Sequence, residues 1–129
     1  MRVLLILTWI ALPTVMYGGY SLLALLNRGN VLTPFQVSQF RAGHAHAGVL
    51  LLLALLYQQF LLQTPFSAGT RLVLAAALLV AIMAQSGGFF LHMLVGKPQQ
   101  ASLGTRLTMT GAVVLALAVL VLVYGLIMS

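Results

Sequence analysis

Apolar residues fill four stretches of the chain, about 3–26, 42–62, 70–95 and 105–128, and polar or turn-forming residues separate them. Each stretch reaches the roughly 20 residues a helix needs to cross about 30 Å of hydrocarbon. Asn27-Arg28-Gly29-Asn30 closes the first with residues that tolerate a left-handed backbone. Thr33-Pro34-Phe35-Gln36 has the order of an N-cap, a proline in the first turn and a capping-box glutamine. The second helix is therefore expected to start in the headgroup region, ahead of its buried part. Thr64-Pro65 is read as the start of the third helix and Gly96-Lys97-Pro98 as its end. The Thr-Pro-Phe triplet recurs at Thr33 and Thr64, on opposite membrane faces, as shared capping chemistry. Pro13 and Gly18-Gly19 predict a kink or a close helix contact in the first helix. Connections this short favour antiparallel neighbours. The expected fold is all-α: one transmembrane domain over residues 1–129, an up-down-up-down four-helix bundle.

Composition supports the membrane reading. Of 129 residues, 62% are hydrophobic and 5% charged, with six Lys and Arg and no Asp or Glu. So few charges cannot clothe a water-facing surface, whereas a lipid-facing one needs none. Met1 to about Gly19 has the order of a signal peptide, but the apolar run continues to about Leu26, which predicts a retained helix. Arg28, Arg41, Lys97 and Arg106 fall at one membrane face and Arg2 and Arg71 at the other. The positive-inside rule then puts both termini outside. The expected location is a prokaryotic inner membrane. Single cations at helix ends give no basic patch for nucleic acid. They suit the lipid bilayer, its anionic headgroups, or a buried anionic ligand. Without cysteine, thiolate metal sites and disulfides are excluded.

The three histidines carry the candidate chemistry. His44 and His46 fall early in the second helix and His92 late in the third. In antiparallel helices these positions share one membrane face, at a depth on the order of 5–10 Å. Ionisable residues inside a membrane are costly and point to function. Tyr17, Tyr20, Ser21, Gln85, Ser86, Thr105, Thr108 and Thr110 fall in the same half, which is read as the functional one. His44 and His46 lie about 200° apart around their helix, so they address different partners. One of them facing His92 across a flat macrocycle would make a bis-histidine haem b site. Gly43, Gly48 and Gly88 allow close approach of a porphyrin or of another helix. Arg41, one turn before His44, is placed to pair with a propionate. The alternative cofactor is copper, with Met93 and Met109 as soft ligands.

Gly43-His44-Ala45-His46-Ala47-Gly48, opening an apolar helix, resembles the His-x-His helix of the large subunit of haem–copper oxidases and nitric oxide reductases. The resemblance covers one helix of four. It implies that His44 and His46 ligate two different haems. That family's copper-site histidines are absent, and three histidines cannot build two bis-histidine haems, so its oxygen or nitric oxide chemistry is not implied. The leading expectation is a haem b protein for electron transfer or haem handling, an oxidoreductase if an enzyme at all. The alternatives are a non-catalytic subunit stabilising a larger membrane complex or a homo-oligomer, and a copper-binding membrane protein. Proton-coupled exporters of this size need a membrane carboxylate, and a hydrolytic triad needs an acid. Neither is available.

Overall fold

A computed structural model describes residues 1–29 and 31–129. Its helices are α1 (Arg2–Asn27), α2 (Pro34–Leu61), α3 (Ala68–Val95) and α4 (Leu103–Ile127). All four are long and apolar enough to cross a membrane, and the chain is an integral membrane protein.

Local chemistry sets the helix ends. Gly29 takes a positive φ of 66° directly after α1, while Asn30 lies outside the described residues. At the head of α2, Thr33 accepts from the Gln36 N–H and the Gln36 side chain accepts from the Thr33 N–H. That capping box starts α2 at Pro34, eight residues before the apolar run begins at Ala42. The start of α3 differs from expectation. Its N-cap is Ser67, whose hydroxyl accepts from the Thr70 N–H at 3.1 Å. Thr64 instead turns its hydroxyl back to the Leu61 carbonyl and stays buried at the end of α2. The guanidinium of Arg71 also donates to the Thr64 carbonyl and ties this turn to α3. A second capping box, Ser102 with Thr105, starts α4 at Leu103, slightly before the expected Thr105.

α3 is the centre of the bundle. It packs most extensively on α4, then on α2, whereas α1 leans on α2, touches α3 lightly and does not reach α4. Gly88 lies against Gly104 and Thr108, and Gly111 lies against Ala81 and Gln85. Thr8 meets Gln58, while Gly19 meets His44. Residue numbers along each such pair run in opposite senses, so the paired helices lie antiparallel. The apolar core, Ala54, Tyr57, Leu61, Ala75, Leu78, Ile82, Ala118 and Leu122, sits away from the histidines.

Two long-range side-chain hydrogen bonds also lie in that half. Tyr57, 1% exposed, donates its hydroxyl to the Ala118 carbonyl at 3.0 Å. Tyr57→Phe is expected to cost about 1 kcal/mol, read as a lower unfolding midpoint in the same detergent. Thr8 gives its one hydroxyl proton to the Leu4 carbonyl and accepts from Gln58 Nε2 at 3.0 Å. Thr8→Val should cost about 1–3 kcal/mol, because it strands the buried amide, and adding Gln58→Leu should recover most of that loss. Midpoints of the single and double variants check this.

Candidate functional site

Each histidine engages a different neighbour. His44 turns to α1. A methyl group placed on Gly19 would stand 3.0 Å from His44 Nε2, and one on Gly18 would stand 3.5 Å from Nδ1. The close contact expected of Gly18-Gly19 is therefore with this imidazole. Phe40 lies one turn before it, with ring centroids 6.4 Å apart.

His46 points to the other flank of α2. Its ring lies 4.8 Å from that of Phe89, tilted by 36°. Its Nδ1 is 2.8 Å from the Ala42 carbonyl oxygen. A carbonyl only accepts, so Nδ1 carries the proton, and in the neutral ring Nε2 keeps its lone pair.

His92 belongs to the same side of the bundle. Its Nδ1 lies 2.7 Å from Ser102 Oγ, across the turn from α3 to α4. The Ser102 hydroxyl also accepts from the Thr105 N–H, and its other lone pair can take a proton from Nδ1. Phe35 meets the His92 ring edge-on at 5.2 Å. Gln39, Phe89, His92, Thr105 and Thr108 line a groove of about 230 Å³. His46 packs on Phe89 but lines a separate hollow with Ala45, Val49 and Leu50. No hydrogen bond among the described residues reaches Nε2 of His46 or of His92.

The other site residues expected from sequence are placed as follows. Gly43 is pressed into α3, where an added methyl would stand 3.0–3.1 Å from Phe90, Phe89 Cβ and the Ser86 carbonyl. Gly88 faces α4 and Gly48 faces Val15 of α1. All three glycines serve helix contacts, and the α2/α3 seam is closed at Gly43. A macrocycle would therefore reach the groove between α2 and α4, and not that seam. Arg41 is exposed and lies five residues before His46, about 140° around the helix from it. Lys97 and Arg106 are exposed at the same end of the bundle. Met109 is 65% exposed, and among the described residues no three His, Cys, Asp or Glu side chains gather to hold a bare metal ion. Porphyrin iron asks less of the protein, because the ring supplies four donors and the chain only the axial ones.

Ser102, Phe35 and Gln39 escaped the sequence reading. The Ser102-x-x-Thr105 spacing marks an N-cap, yet nothing local tells that its hydroxyl meets His92 ten residues earlier. Tyr17 and Tyr20, counted there among the functional polar residues, are about 70% exposed on α1. Ser86 and Gln85 do lie inward, each with a buried side-chain oxygen that has no partner. Comparison with protein families, with curated proteins and with solved structures finds no match.

Proposed function

We propose that this chain is a small membrane haem b protein whose iron is held by His46 and His92, and that it transfers electrons. The observation supporting this reading is that both rings tie Nδ1 to a protein oxygen, from Ala42 and from Ser102. Such a bond on the far nitrogen fixes the tautomer and orientation of a ligating imidazole and raises its basicity. Nε2 is then the atom each ring offers to iron. Phe89 supplies an apolar face beside His46, and it lines the groove at His92 together with Thr105 and Thr108.

Haem iron with two imidazole ligands exchanges single electrons and leaves no coordination position open to a substrate. The protein holds the rings, shields them from water within the membrane and supplies compensating charge. With no acidic side chain in the sequence, the exposed Lys97 and Arg106 near the turn from α3 to α4 are uncompensated cations and suit the haem propionates. His44, on the opposite flank of α2, takes no part. This narrows the two-haem pattern implied by the His-x-His resemblance to a single haem.

Absorption spectra of the detergent-solubilised protein, oxidised and dithionite-reduced, test the proposal. A Soret band with split α and β bands on reduction is the expected outcome. Protein that stays colourless after haem is supplied during expression and again after purification would refute it.

A further inference from the structure

Arg41 has no part in the proposed haem site, and its charge is left unused there. It lines an open hollow of about 490 Å³ together with Leu32, Pro34, Val37 and Ser38. Four of these five residues belong to the first eight of α2, and Leu32 comes from the connection before it. One short segment therefore builds the whole hollow. Pro34, Ser38 and Arg41, spaced four and three positions apart, form a single exposed stripe of the helix. No acidic side chain in the sequence can neutralise the guanidinium. Its counter-charge must come from outside the chain.

The level of the hollow selects the ligand. The apolar part of α2, residues 42–61, covers about 30 Å, the thickness of the hydrocarbon. The first eight residues of α2 then lie in the headgroup layer, with Arg41 at the boundary, where lipid phosphates are the abundant anions. The planar guanidinium fork matches two phosphate oxygens. Ser38, one turn further out, brings a hydroxyl that can both donate and accept. The head beyond the phosphate would lie there, between Leu32, Pro34 and Val37. Among the described residues lining the hollow none is acidic or aromatic, so nothing receives a cationic head such as choline. An uncharged polyol head needs no such partner. We propose that this hollow binds an anionic phospholipid of the phosphatidylglycerol type, its phosphate held by Arg41 and its head beside Ser38. The site does not depend on haem.

Native mass spectrometry of the purified full chain in detergent, with dioleoylphosphatidylglycerol or dioleoylphosphatidylcholine added, is the test. A single phosphatidylglycerol is expected to stay bound at lipid levels where phosphatidylcholine does not. Arg41→Gln should weaken phosphatidylglycerol binding about tenfold. Arg41→Lys keeps the charge without the fork and should recover part of the affinity. Ser38→Trp leaves the charge alone but fills the hollow, and should weaken binding as much; it carries the test if Arg41→Gln does not fold. Arg28→Gln removes an exposed cation expected at the same membrane face but outside the hollow, and should have no effect. Unchanged affinity in Arg41→Gln or in Ser38→Trp would overturn the proposal. Equal losses in Arg28→Gln and Arg41→Gln would also overturn it, by showing diffuse attraction between a basic chain and an acidic lipid. So would equal retention of phosphatidylcholine, or displacement of the lipid by inorganic phosphate, which would mark a site for the free anion.

Discussion

Replacing either His46 or His92 with alanine should abolish the six-coordinate haem spectrum, while His44→Ala should leave it intact. The three residues are chemically equivalent, so the contrast tests their placement. His46 and His92 each hold Nδ1 on a protein oxygen, whereas His44 packs on Gly18 and Gly19 of α1. Under the proposed ligation, losing either imidazole would leave the iron short of a protein ligand, and the split bands on reduction should vanish. Ser102→Ala offers a graded version. It leaves the His92 ring in place but removes the oxygen that orients it. Loss of such a partner costs roughly 10- to 100-fold in metal affinity, measured as haem retained against an apo-protein acceptor. A band lost in His44→Ala and kept in His46→Ala would reverse the axial assignment.

Gly88→Leu is expected to separate α4 from α3. Any side chain at Gly88 would run into Thr108 and into the backbone at Gly104, in the most extensive seam of the bundle. The near atoms are largely backbone, so no rotamer change relieves the overlap. The cost should be on the order of 3 kcal/mol, a large share of a typical folding stability of about 5–15 kcal/mol. The adjacent position provides the control. Gly87 has nothing within 4 Å of a built side chain, and Gly87→Leu should be neutral or slightly stabilising through helix propensity. Unfolding midpoints of the two variants in one detergent should therefore diverge sharply, although they differ by one residue along α3.

Much of the fold is written in local chemistry. Four apolar runs of membrane-spanning length are visible by inspection, and the absence of any acidic residue rules out a soluble surface. The capping box at Thr33 and the stop at Gly96 depend only on residues within one helical turn, so they can be read from the string. Thr64 shows where such reading stops. Ser67 and Thr64 are both plausible caps, and the choice follows from burial of Thr64 at the end of α2. The glycines teach the same lesson. Gly43, Gly48 and Gly88 are recognisable as sites of close approach, but what approaches them is a helix in each case.

The order of residues along the chain thus determined the number and approximate extent of the membrane helices. Helical periodicity also required His44 and His46 to face different ways. Which neighbour each ring meets was decided only in three dimensions. Lipid is as apolar as the helix surfaces, so hydrophobicity does not choose partners within a membrane; close steric fit and buried hydrogen bonds do. The α3/α4 glycine seam brings Ser102 to His92, and the lean of α1 on α2 brings Gly19 to His44. Those contacts join residues on different helices, and no local pattern encodes them.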